Sequence, residues 1–143
     1  RNKFLGFVFQ FHHLIPELNI IENVMVPQQI YQNEVDDFYA KELLEFMGLM
    51  NRINHYPSEL SGGESSRVAV ARALVNKPAL ILADEPSGNL DIENAEKLIK
   101  LFKKINDEFD QSIVVATHDK NVASIGDRSL ILNKGMLSDS DII

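Results

Sequence analysis

The chain has 143 residues, 45% of them hydrophobic and 24% charged, with a net charge of −7, which is the size and balance of a single globular domain able to bury a core. The negative balance argues against a surface that coats nucleic acid, and the absence of cysteine excludes a disulfide frame or a thiolate metal site. No apolar run approaches the roughly 20 residues of a membrane span, and no basic-then-apolar signal segment opens the chain.

Arg1 is followed almost at once by the apolar run Phe4 to Phe9, which predicts a buried strand ending at Gln10. A domain rarely opens mid-sheet, so an N-terminal part is expected to precede Arg1. Phe11 to Pro16 has loop character. Asn19-Ile20-Ile21-Glu22 has the spacing of a capping box and predicts a helix from Asn19, bent or ended by Pro27. The next segment, from Glu34 to Met47, is acidic at its front. Val35, Phe38, Leu43, Leu44 and Met47 recur there at near-helical spacing, and Gly48 is the stop. Asp36, Asp37, Glu42 and Glu45 read as its solvated face. Asn51 to Glu59 is polar, contains Pro57 and reads as a loop. Ser61-Gly62-Gly63-Glu64 is a second capping box, opening a helix through Val68, Ala71 and Leu74 towards Pro78.

From Ala79 the period changes. Ala79 to Ala83 is continuously apolar, as in a parallel strand covered on both faces. Asp91 then caps a helix with Ala95, Leu98, Phe102, Ile105 and Phe109 facing inward. Ile113 to Ala116 predicts a second buried strand ending at Thr117-His118-Asp119, and Leu130 to Leu132 a third before a Lys134-Gly135 turn. Strands alternating with helices are the α/β pattern of a parallel sheet. The mainly helical stretch between Asn19 and Leu74 reads as an insertion between strands.

Several residues in this pattern carry chemistry. A helix N-terminus offers unpaired N–H groups and the positive end of its dipole, glycine admits a phosphate to that backbone, and a serine adds a hydroxyl donor. Ser61, Gly62 and Gly63 therefore form a candidate anion site, though a merely well-capped helix explains the same four letters. Asp84 and Glu85 stand at the carboxyl end of an apolar strand, the edge where open α/β sheets bind ligands. Asp84 suits a hard cation such as Mg²⁺ and Glu85 a base that polarises water, with a solvated acidic turn as the alternative. His118 falls at the same sheet edge, where an imidazole can donate to a phosphate. Gln10 ends another strand, and its amide carbonyl can reach a cation. His12, His13 and His55 show no partner pattern and read as surface or packing residues.

The order of these pieces resembles the ATP-binding cassette ATPases: Gln10 as the Q-loop, LSGGE at Leu60 to Glu64 as the signature, LILADEP at Leu80 to Pro86 as Walker B, SGNLD at Ser87 to Asp91 as the D-loop and His118 as the H-loop. More narrowly, GFVFQ, LIPELNIIENVMVP, LSGGE and ADEPSGNLD are similar to the group of lipoprotein-releasing LolD, macrolide-exporter MacB and cell-division FtsE proteins. The resemblance implies a RecA-like P-loop α/β core, 1–10 and 77–143, with an inserted helical subdomain over about 11–76 carrying the Q-loop and signature. It implies an ATPase subunit that drives a membrane permease in export or lipoprotein release, peripheral on the inner face of the cytoplasmic membrane.

By the same resemblance Glu85 is the catalytic base and Asp84 assists Mg²⁺. Gln10 and His118 complete the surroundings of the γ-phosphate and the cation. Ser61, Gly62 and Gly63 contact ATP held by a second copy, and Asp91 lies in the loop that crosses the dimer interface. Phe11 to Val26 matches the region receiving the permease's coupling helix, and no nucleic acid is expected. Two departures stand out: Ser65-Ser66 replaces larger polar residues, and Ser87 a common threonine. No GxxxxGK[ST] occurs in the 143 residues, so the phosphate-cradling loop is expected upstream. Alternatives are an ABC ATPase acting on ribosomes or DNA ends, whose usual long insertions or tandem domains are missing here, and a non-catalytic regulatory domain, which intact Glu85 and His118 disfavour.

Overall fold

The structure, a computed structural model, describes residues 4–31 and 35–139; the acidic start at Glu34 lies outside them. Its centre is a parallel sheet in the order β1 (Leu5–Phe9), β2 (Leu80–Asp84), β3 (Ser112–Ala116). Register pairs Phe9 with Asp84 and Asp84 with Ala116, so the carboxyl ends of all three strands finish level.

Between β1 and β2 run α1 (Ile20–Tyr31), α2 (Asp37–Phe46), two short 3₁₀ turns at Met50–Arg52 and Pro57–Glu59, and α3 (Gly62–Leu74). Asn19 caps α1 reciprocally: its Oδ1 accepts from Glu22 N at 3.0 Å, and Glu22 Oε2 accepts from Asn19 N at 2.8 Å. Pro27 does not end this helix, which continues to Tyr31. The last turn is tied down from outside, with Asn76 Nδ2 donating to Pro27 O and Gln28 Nε2 to Val75 O, both at 3.2 Å. These bonds help offset the one ladder bond that proline forgoes.

In α2, Ala40, Leu43 and Leu44 are buried and Met47 joins them, but Phe38 is 73% exposed and Val35 41%. At 100° per residue Phe38 lies opposite Leu43 and Leu44, so a shared near-helical spacing does not put it on the inward face. Gly48 (φ +69°) closes α2 as a Schellman turn: its N–H bonds Glu45 O at 2.9 Å and Leu49 N–H bonds Leu44 O at 2.8 Å.

Helix α3 lies directly on β1. A Cβ at Gly6 would stand 3.1 Å from the Ala73 carbonyl carbon and closer still to its oxygen. After β2, α4 (Ile92–Phe109) returns over the same side of the sheet and buries Leu98, Ile99, Phe102 and Ile105. Phe109 is partly exposed, its ring edge-on to Phe46 at 5.0 Å. One core joins Val8, Ile81 and Ala83 of the sheet to Val24, Leu44, Leu74 and Phe102 of the helices.

Two expectations are corrected. Only one face of the sheet is covered by the described residues: Val8, Ile81 and Ala83 are buried, whereas Phe9 is 39% and Val114 54% exposed. Phe7, Phe9, Leu82 and Val114 line a shallow groove on the open side. Leu130–Asn133 (β4) is not a third buried strand of the parallel sheet. It pairs antiparallel with Met136–Asp139 (β5), and Ile131 and Leu132 are exposed. Lys134 (φ +48°) and Gly135 (φ +81°) form a two-residue turn with both φ positive, the geometry that closes a hairpin, so the strand's backbone bonds go to β5. The short α5 (Lys120–Ala123) follows β3.

Gly6→Ala is expected to lower stability by about 1–3 kcal/mol, the range for overpacking a filled contact. The midpoint of urea unfolding measures it; an unchanged midpoint would mean that α3 can move off β1 without cost.

Candidate active site

The level strand ends bring the sequence candidates to one edge. Gln10 follows β1, Asp84 ends β2, Glu85 comes next, and His118 lies two residues past β3. Asp84 is exposed, and its carboxylate makes no hydrogen bond or ion pair among the described residues. Glu85 departs from the strand with φ +44°, a left-handed conformation rarely held by a non-glycine residue. Its N–H bonds Ala116 O at 2.9 Å, which anchors the turn to β3.

The Glu85 carboxylate is clamped by the end of β3. Oε1 accepts from His118 N at 2.9 Å and Nδ1 at 2.7 Å, and Oε2 accepts from Thr117 Oγ1 at 3.1 Å. Burial pushes the Glu85 carboxyl up, but the bonds from His118 and Thr117 outweigh it and hold the group below its ordinary value. The same bond and charge raise the His118 imidazole. A carboxylate offers about four acceptor sites. Three are filled here, which leaves one on Oε2. Donation through Nδ1 leaves His118 Nε2 facing outward on a side chain that is 86% exposed.

Helix α3 starts in a complete capping box. Ser61 Oγ accepts from Glu64 N at 3.2 Å, and Glu64 Oε2 accepts from Ser61 N at 2.8 Å. Arg52 Nε adds a 3.1 Å bond to Glu64 Oε1. The first helical bond is Ser65 N to Ser61 O, so the N–H groups of Gly62 and Gly63 precede the ladder. This start does not lie among the sheet-edge carboxylates. It packs on the segment that leaves them: a Cβ on Gly62 would meet Leu90 Cδ2 at 3.5 Å, and Gly63 faces Asn94. Asp91 caps α4 by accepting from Asn94 N at 2.9 Å. Gln10 joins the two groups, because its Nε2 donates to Asn89 Oδ1 at 3.1 Å and Asn89 Nδ2 donates to Gln10 O at 3.2 Å.

Beyond Gln10 the chain is strapped to α3. His12 Nε2 lies 2.6 Å from Ser66 Oγ, and the Arg72 guanidinium donates to His12 O at 2.6 Å and His13 O at 2.7 Å. His12 is therefore a partnered residue rather than a simple surface one. Burial, with Arg72 and His13 nearby, lowers its imidazole towards the neutral form. The departure at Ser66 also gains an account, since this buried serine makes the strap. The loop further on is organised by Asn23, fully buried, whose amide bonds Ile15 N and O, Leu18 O and Asn19 O.

The bonds made by Thr117, Asn89, Asn94, Ser66 and Asn23 were not legible in the sequence, although Asn89 lies in the SGNLD match and Ser66 stood out as a departure. Thr117 itself was legible as a hydroxyl beside His118 at a strand end; the others act across long sequence separations and left no local signal. Among the described residues no group of three His, Cys, Asp or Glu side chains could hold a metal. One free carboxylate at the sheet edge nevertheless fits Mg²⁺, which keeps several waters and is commonly held by one or two carboxylates with substrate phosphates.

A parallel sheet with acids at its carboxyl edge, one face layered by an inserted helical run, is the architecture of a RecA-like cassette core. Residues 1–88 match the family described as ABC transporter, and the chain belongs to that family. It is similar to the lipoprotein-releasing system ATP-binding protein LolD of Cytophaga hutchinsonii, 46% identical over 139 residues, covering 96% of this chain and 64% of that protein. It is also similar to LolD of Bacteroides fragilis, 53% identical over 137 residues, covering 94% and 63%. The dimeric ATP-binding cassette MJ0796 bound to ADP and Pi superposes with a TM-score of 0.81 at 41% identity, over 97% of this chain and 64% of that one. The chain thus spans less than two thirds of these relatives' length.

The cap makes stability depend on pH. The Ser61 N–H, first, then the Ser61 hydroxyl and Arg52 hold the Glu64 carboxyl below its ordinary value despite burial. A carboxyl lowered on folding stabilises fully above its unfolded pKa, and that contribution is lost as pH falls through the folded value. Glu64→Gln should cost about 1–2 kcal/mol at neutral pH and shrink the acid-side loss. Urea midpoints between neutral pH and pH about 3 measure it; parallel curves for the two proteins would refute it.

Proposed function

We propose that the full-length protein is the ATP-hydrolysing subunit of an ABC transporter, coupled to a membrane permease in lipoprotein release or export. The observation that carries this reading is the Glu85–His118–Thr117 clamp beside free Asp84, level with Gln10 at one sheet edge.

In this reading Glu85 stays ionised and uses its one open acceptor site to orient the attacking water. His118 keeps Nδ1 on Glu85 and turns Nε2 to the γ-phosphate. Asp84 and the Gln10 amide would hold Mg²⁺, which supplies charge neutralisation for the phosphates when bound. Ser61, Gly62 and Gly63 serve the nucleotide on a second copy, and Asp91 lies at that interface. The dimeric form of MJ0796 and the names of the LolD relatives support the homodimer and the lipoprotein-releasing role. The permease would engage Phe11 to Val26, whose Phe11 is 67% exposed, from the cytoplasmic side of the membrane. A phosphate-cradling GxxxxGK[ST] loop is absent from these residues, so it would come from further chain. The uncovered sheet face at Phe7, Phe9, Leu82 and Val114 supports additional chain packing there.

Two experiments test this. Glu85→Gln in the full-length protein should cut ATP hydrolysis by about 10²–10⁴-fold while ATP-driven dimerisation, followed by size-exclusion chromatography, persists; undiminished hydrolysis would remove Glu85 from the role. Calorimetry on the isolated 143-residue stretch should give very weak ATP binding, and tight binding would show that no outside phosphate cradle is needed.

A further inference from the structure

The start of α3 and the start of α4 are locked together by one side chain. Asn94 Nδ2 donates to Asp91 Oδ2 at 2.7 Å while its backbone N–H donates to Asp91 Oδ1 at 2.9 Å. With the amide nitrogen committed to Asp91, the amide oxygen must turn the other way, and there it lies against Gly63. A Cβ at Gly63 would stand 2.9 Å from Asn94 Cγ and 3.4 Å from Asn94 Cβ, and closer to Oδ1. The clash is with the amide end, Oδ1 and Cγ, while Asn94 Cβ stands at ordinary contact distance, and turning the amide away from residue 63 gives up the bond to Asp91. Leu90, packed on the core, completes the contact over Gly62.

We propose that Asn94 is a positioning residue that holds Asp91 and Ser61-Gly62-Gly63 at a fixed separation, and that glycine is required at 63 by this contact within the chain. The ordinary explanation for Gly63, access of a phosphate to the helix start, asks only for an open surface. Gly63 is instead buried against its own chain. The two elements are those assigned to the facing subunit's nucleotide and to the dimer interface, so the catalytic consequence rests on the proposed function. A movement of Asp91 is passed to the α3 start through Asn94, and the two present themselves to the partner as one surface.

The test uses full-length protein. Without nucleotide, Asn94→Ala should accelerate amide exchange roughly tenfold, the effect of losing one hydrogen bond to a carboxylate, in both 60–66 and 87–92. Acceleration confined to 87–92 overturns the coupling. This comparison is independent of hydrolysis, so it decides the inference even if the ATPase reading fails. Gly63→Ala should lower the melting temperature and the kcat for ATP. Adding Asn94→Ser, which keeps a donor for Asp91 but frees the space over residue 63, should restore most of both. Failure of the double variant to recover kcat once its melting temperature has returned would mean that phosphate access, not Asn94, demands the glycine.

Discussion

The contact between Gly6 and the Ala73 carbonyl sets the distances on which the rest depends. A helix backbone touches a strand backbone there with no side chain between them. Held at that point, α3 cannot slide or lift from β1. Its Arg72 then falls within reach of the carbonyls after β1, and its Ser66 meets His12. Gln10 is fixed between this strap and Asn89. The α3 start, about three turns from Ala73, is carried to the segment leaving Asp84 and Glu85. Any larger residue at position 6 would move all of these together.

The second constraint is electrostatic. Glu85 sits in a left-handed turn, which strains its backbone, and its carboxylate is partly withdrawn from water, which disfavours the ionised form. The end of β3 answers with three donors from two consecutive residues. Parallel register makes this possible: Asp84 opposite Ala116 puts Thr117 and His118 beside residue 85. The imidazole gains along with the carboxylate, since each favours the other's charged form. The pair thus arrives at the sheet edge already oriented, with one acceptor site and one ring nitrogen left for other work.

Much of this was legible in the residues. The parallel strands, both capping boxes, the Gly48 stop and the meeting of Glu85 with His118 at one edge follow from periodicity and placement. What was not legible has common physical causes. The near-helical spacing that gathered Phe38 with Leu43 fixed a period but not a phase, and the phase is set by what α2 packs against. Leu130 to Leu132 are continuously apolar, as a buried strand would be, yet the Lys134-Gly135 turn, a local feature, decided their partner. Pro27 was read by its intrinsic cost, while bonds from Gln28 and Asn76 to distant backbone changed the balance. The polar straps from His12, Asn89 and Asn94 join residues that only the fold brings together.

Ser66 shows how one departure from a family pattern can be absorbed. A short side chain on a buried position of α3 leaves room, and a lone hydroxyl there would be an unsatisfied polar group. His12 fills both needs. Its ring enters the space and its Nε2 meets the hydroxyl, while Arg72 fixes the backbone that carries the ring. His12 and His13 take positive φ (20° and 48°) to reach this arrangement, a strain that persists because three hydrogen bonds and burial hold it. The result is a rigid connection between the strand-end glutamine and the helix whose start carries Ser61, Gly62 and Gly63. Gln10 is thus tied to Asn89 on one side and, through the strap of His12 on Ser66, to α3 on the other.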